Sequence, residues 1–341
     1  LSAAESSQFF VSATYNNYWG MLYAIVILAI ATSAFYVRSV MTHELFNKSM
    51  DLSAFLSVWC ALIAIYQKIS AYSTAPKYRP ISTFHNANCY GMMIEFIVII
   101  AMYRIFTNPK LKNYYLAVIG INLVGLYLCA SLSAFSATAF AVMVMFIMKN
   151  RYKLAVGLVA ATVIFIAVGL VFPSIFPRGL EAIDSTLDQR LSIWSTSVKG
   201  ILKNPFFGTG ALSYQMICEQ LGGYKTYHCH NLILDTLLNY GFIGFGVMGI
   251  YIMTQMKLLY LRFKNNIGVN MDILFLAATA ATAVHGVTDV TISWIQTGLL
   301  FILIFSSNGI GSEFLENQLR LPSLIPAYAS KSSVKTAYNE N

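Results

Sequence analysis

The chain has 341 residues, 57% hydrophobic and only 11% charged, with a mean hydropathy of +0.63 and a net charge of +8. Soluble domains carry about 25% charged residues, and their helices keep a polar face. A soluble enzyme or a nucleic-acid-binding domain is therefore excluded, and an all-α, polytopic membrane bundle is predicted, in which the placement of charge matters more than its sum.

Residues 1–18 have no basic n-region and do not read as a signal peptide. Apolar runs, most of them apolar all round, then predict nine spans: 19–37, 52–68, 90–106, 114–131, 134–148, 154–172, 232–256, 271–287 and 294–310. The link Ser131–Ser133 between the fourth and fifth is very short. Residues 1–310 read as a single membrane domain, and the polar tail 311–341 as a loose extension.

The basic residues set the expected orientation. Arg38 and Lys48, then Arg104, Lys110 and Lys112, then Lys149, Arg151 and Lys153, then Lys257, Arg262 and Lys264 occupy alternate short connections. The positive-inside rule turns these toward the cytoplasm. The N-terminal stretch, 69–89, 173–231 and 288–293 then face outward. An outward residue 1 predicts one or three helices upstream, or an N-out start.

The 173–231 connection is too long to be structureless in a compact domain. Leu187, Leu191 and Trp194, spaced at i, i+4 and i+7, predict a helix over 183–202 on the outer membrane surface, capped near Asp184 or Ser185 and stopped by Pro205 and Gly208.

The outward segments collect the polar chemistry: Lys77, Arg79, His85, Asn86 and Asn88, then Arg178, Asp188 and Arg190, then His228, His230 and Asn231. A guanidinium near a bilayer is costly, and its planar fork suits phosphate oxygens. Histidine exchanges a proton near neutral pH. Together they suit a lipid-linked phosphate donor and an acceptor hydroxyl. Each residue also has a structural reading: Arg178 and Arg190 as headgroup-seeking interface arginines, His230 as the cap of a helix beginning at Asn231, and Asp235 as an interior hydrogen-bond partner. His285 and Asp289, four apart, read as a pair that orient each other. The aromatic residues Trp19, Tyr90, Trp194, Tyr224 and Tyr227 read chiefly as an interfacial belt, with sugar stacking as the alternative. His228-Cys229-His230 fits no common zinc spacing, and Gly208-Thr209-Gly210 lacks the Lys-Ser/Thr of a phosphate loop. Cys218 and Cys229 share the outward loop, where a disulfide and a reduced pair both stay open.

His230-Asn231 followed by Gly241-Phe242-Ile243-Gly244 resembles the signature of the bacterial O-antigen ligase and polymerase superfamily. Arg190-Leu-Ser-Ile-Trp194 and Asn204-Pro205-Phe-Phe-Gly208-Thr-Gly210 resemble that family's Arg-xxx-Trp helix and Pro-x-x-Gly-x-Gly turn, and Arg79 to Asn88 resembles a further segment placed before a span. The resemblance implies about a dozen helices and metal-independent transfer from undecaprenyl-pyrophosphate-linked glycans, without a cofactor. It also implies Arg190 on the pyrophosphate and His230 as base or orienter; Arg79, Arg178, Asn88, Trp194 and Asn231 are the further expected substrate contacts. One departure is Leu132, where the family commonly has an arginine after a serine.

The expected activity is an O-antigen ligase-type transfer at the outer face of a bacterial inner membrane, to a glycan or lipid A core acceptor hydroxyl. A repeat-unit polymerase is the alternative. A lipid-linked glycan transporter is the non-enzyme reading, disfavoured because the span centres read as nearly charge-free.

Overall fold

The computed structural model describes residues 19–172, 180–312 and 315. They form eleven α-helices and no strand: α1 (Trp19–Val40), α2 (His43–Ala71), α3 (Ala87–Thr107), α4 (Lys112–Cys129), α5 (Leu132–Met148), α6 (Tyr152–Val171), α7 (Leu180–Lys203), α8 (Ser213–Ile217), α9 (Leu232–Lys264), α10 (Val269–Gly286) and α11 (Ile295–Ser306). The molecule is a polytopic helical bundle, as its composition requires.

Among the described residues, six helical segments are long and apolar enough to cross a bilayer, against the nine expected. Leu28–Val40, Leu132–Met148 and Ile295–Gly309 are apolar but shorter. The 17 residues of α5 reach roughly 25 Å at 1.5 Å per residue, against a hydrocarbon core of about 30 Å.

Helix α3 is the centre of the bundle. It is mostly apolar, and 89% of its spanning window is buried. Helices α2, α4, α5, α10 and α11 surround it. At the end carrying the basic residues, Arg104 grips Asp51 through Nε (2.6 Å) and Nη2 (2.9 Å). Arg262 of α9 is fully buried and donates to Asp272 of α10 at 2.7 Å.

The expected span 232–256 is real but broken. Gly241 sits inside α9 at φ 65° and ψ −173°. The break releases backbone groups that a bilayer cannot satisfy, and the turn after α7 satisfies them. Thr209 and Gly210 N–H donate to the carbonyls of Leu238 (2.8 Å) and Asn239 (3.0 Å). Phe242 and Ile243 N–H donate to Pro205 (2.7 Å) and Phe206 (3.1 Å). A Cβ on Gly241 would lie 2.4 Å from the Phe206 backbone, and one on Gly208 2.5 Å from that of Asn239. The two glycine motifs are thus halves of one backbone joint.

One expectation for α7 changes. The helix begins at Leu180, so Asp184 and Ser185 lie within it rather than capping it. Leu187 and Leu191 are 54% and 52% exposed, and the packed face is Ile193, Ser197 and Ile201, against Tyr214, Ile217 and Leu238. The polar hydroxyl of Ser197 fits there because it bonds the Ile193 carbonyl at 2.8 Å.

Candidate functional site

The site is built on the start of α9. Asn231 is the N-cap, its Oδ1 accepting from Ile233 (3.0 Å) and Leu234 (2.9 Å) N–H. The cap is therefore Asn231 and not His230. Its Nδ2 donates to the Val287 carbonyl at 2.9 Å, which ties α9 to the turn after α10. His230 takes a left-handed backbone, φ 48°, an uncommon conformation for a residue with a side chain. The turn is held from below by Asp235, which accepts from Cys229 N–H at 3.0 Å and from Asn239 Nδ2 at 2.9 Å. The interior-partner reading of Asp235 agrees with this geometry.

Asp289 organises the histidines. His228 Nε2 donates to its Oδ1 at 2.9 Å, and His230 Nδ1 lies 3.4 Å from the same oxygen. Asp289 is 3% exposed. Burial alone would raise its carboxyl, but the facing His230, His228 and His285 outweigh it and hold the group down to about 2. Burial, with His230 beside it, lowers His228 instead, against the opposing pull of Asp289. A neutral His228 next to an ionised Asp289 is the consistent state. The two imidazoles lie 4.1 Å apart between centroids, so charging both is unfavourable.

Around this pair, Trp194 Nε1 donates to the His230 carbonyl at 3.3 Å, and Thr226 Oγ1 lies 3.4 Å from His230 Nε2. Trp294 stands edge-on to His228 at 5.3 Å, and His85 stacks on Trp294 at 5.9 Å. Arg190, half-buried on α7, lies within electrostatic reach of His285 at this same end. Arg79 Nε donates to the Cys129 carbonyl and its Nη2 to Asn88 Oδ1, both at 2.7 Å. That ties the segment before α3 to the end of α4. Arg178 lies outside the described residues. Leu132 is 44% exposed, and its neighbour Ser133 accepts from Thr288 Oγ1 at 2.7 Å.

Three readings are corrected here. His285 and Asp289 do not orient each other through their side chains: the His285 ring bonds Glu95, and Asp289 holds His228 and His230. Tyr90 is fully buried against Gly125 and offers no sugar platform. The span centres are not charge-free, because Glu95 lies in α3 at 0% exposure. Cys218 and Cys229 are both buried in one apolar cluster and both free.

Trp294 and Glu95 were missed from sequence, and Asp289 was read as the partner of His285 and not of His228 and His230. Only its i, i+4 spacing from His285 was visible in sequence. Its 61-residue separation from His228 hides the contact. The same separation hides that His228, His230 and Asp289 bring potential ligand atoms within 4.8 Å of one another. The types suit a cation. However, the Asp289 carboxylate is already bonded by His228 and by Val290 N–H (2.9 Å). The arrangement is that of an imidazole pair steered by a carboxylate, able to take a proton from a hydroxyl beside a cation.

No curated protein matches the chain significantly. Residues 115–249 match the family model described as O-antigen ligase. That segment contains Arg190, Trp194, the turn through Gly208, His230, Asn231 and the broken start of α9, and this part of the chain is similar to that family.

Proposed function

We propose that this protein transfers a glycan from undecaprenyl pyrophosphate to an acceptor hydroxyl at the extracytoplasmic face of a bacterial inner membrane. The supporting observation is a carboxylate-steered histidine pair, with Arg190 within electrostatic reach of His285, whose turn carries that carboxylate. The acceptor oxygen forms the new bond to the anomeric carbon as the bond from that carbon to the pyrophosphate breaks. His230 takes the hydroxyl proton, and undecaprenyl pyrophosphate leaves with both electrons of the broken bond. Neutralising the charge that develops on the leaving group is the larger effect, worth about 3–4 kcal/mol per preorganised donor. Proton acceptance by His230 adds about 10²–10⁴-fold. Asp289 keeps the His230 ring oriented, as a triad carboxylate does. Arg79, Arg178, Asn88, Trp194 and Asn231 are assigned to positioning the donor and the site's backbone. Of these, Asn231 acts through its cap, and Trp194 through the His230 carbonyl.

The reaction is assigned without a metal, so turnover should persist in the presence of a chelator. The motif set favours a ligase, with a lipid A core sugar as acceptor. Leu132, in place of the family's arginine, favours a polymerase, with a second lipid-linked repeat as acceptor. A transporter reading is weaker: the break in α9 is filled by backbone from residues 205–210 instead of lining a passage. Purified protein should release undecaprenyl pyrophosphate from a lipid-linked glycan only when acceptor is supplied. Movement of intact donor across vesicles without release would replace the enzyme by the transporter. In a deletion strain, unattached long chains identify a ligase and single capped repeats a polymerase.

A further inference from the structure

We propose that Glu95 and His285 form a positioning pair for this site, fixing the turn that presents Asp289 to the two histidines. The inference rests on the proposed transfer for its rate assay only.

Glu95 Oε2 and His285 Nδ1 meet at 2.8 Å between α3 and α10, at 0% and 1% side-chain exposure. The other carboxylate oxygen, Oε1, is buried and has no hydrogen-bond partner among the described residues. An ionisable pair this deep in a membrane bundle is costly, and two well-packed apolar side chains commonly serve stability as well or better. Stability alone therefore does not account for it, and its position does. The His285 carbonyl receives the backbone N–H of Thr288 (2.9 Å) and of Asp289 (3.0 Å). The Thr288 hydroxyl lies 3.1 Å from that carbonyl and bonds Ser133 of α5. The turn bearing Asp289 is thus wound on His285, and Glu95 holds the His285 ring against the central helix. The charged groups facing His285 are Glu95 from α3, Asp289 from its own turn and Arg190 from α7. The pair thereby adjoins the carboxylate that steers the base and lies within electrostatic reach of the arginine assigned to the leaving group. A misplacement of about 1 Å at such a carboxylate costs on the order of 10²-fold in rate.

The test uses the full chain in lipid nanodiscs. The double variant Glu95→Leu/His285→Leu replaces the pair by apolar packing, and Glu95→Gln keeps an acceptor for His285. Three quantities are measured: thermal stability, donor KM and kcat, and the rate at which diethyl pyrocarbonate modifies His228 and His230 at fixed pH. The double variant should fold with its melting temperature unchanged or raised. Its kcat should fall about 100-fold with donor KM within about twofold, and both histidines should be modified several times faster. Glu95→Gln should recover most of the rate. A folded double variant with parental kcat and parental histidine reactivity overturns the proposal. Should the double variant not fold, Glu95→Asp draws the carboxylate back by one carbon and decides the same question: slower turnover and faster modification support the pair, and no change in either overturns it. If the parent protein releases no undecaprenyl pyrophosphate, the transfer reading fails while histidine reactivity still decides the pair.

Discussion

Replacing Asp289 by asparagine removes one negative charge and almost no volume. Asp289 Oδ1 receives His228 Nε2 at 2.9 Å and Val290 N–H at 2.9 Å, and lies 3.4 Å from His230 Nδ1. Burial opposes its ionised form, yet the surrounding histidines bring its carboxyl from 3.8 to about 2. A shift of that size is worth about 2.5 kcal/mol of folded-state stability while the facing histidines are protonated. An amide cannot supply it, and Asp289→Asn should lower the melting temperature by several degrees. The effect on turnover should be larger than the effect on folding. A carboxylate-to-amide change beside a catalytic histidine costs about 10⁴-fold where the contact is a short bond. With the longer 3.4 Å contact here, kcat should fall about 10²–10³-fold, with donor KM little changed, because the carboxylate touches the base and not the donor. The assay is undecaprenyl pyrophosphate release in nanodiscs at saturating donor, normalised to monodisperse protein. A folded Asp289→Asn enzyme within about threefold of the parent kcat would refute the claim that Asp289 steers His230.

Arg190→Lys keeps the charge but loses the planar fork, and His230→Ala removes the base. Each should reduce release at least about 10²-fold in the same assay, and near-parental turnover in both removes the site assignment. Gly241→Ala forces a side chain into a left-handed conformation, 2.4 Å from the Phe206 backbone. It should destabilise the protein by about 2 kcal/mol or more, seen as a lower melting temperature in detergent; an unchanged value would contradict the joint between α9 and the Asn204–Gly210 turn. For acid stability the sign follows from Asp289, whose folded value is depressed. Its contribution is complete above the ordinary carboxylate range and is lost as pH falls from about 4 through about 2. The parent should show this slope in pH-dependent unfolding, and Asp289→Asn should lack it.

The readable part of the site was its local part. His230-Asn231 is a polar pair ahead of an apolar run, and the structure makes it a cap and a turn within four residues of sequence. Arg190 and Trp194 are one helical turn apart, and a helix was predicted there. Its protein-packed face was not legible, because Ser197 is polar in sequence and buries its hydroxyl on its own helix. The glycines at 208 and 241 were legible as family motifs but not as contacts, since a break in a span shows only once the backbone filling it is known.

Sequence by itself determined the class of the molecule: long apolar runs must become helices in a bilayer, because only helices satisfy their own backbone there. It also determined which side chains are candidates for chemistry, since polar groups collect where the spans end. Tertiary structure decided the partnerships. Asp289 with His228, Glu95 with His285 and Gly241 with Phe206 join residues 61, 190 and 35 positions apart. Such meetings depend on how helices pack around α3, and no local periodicity encodes them.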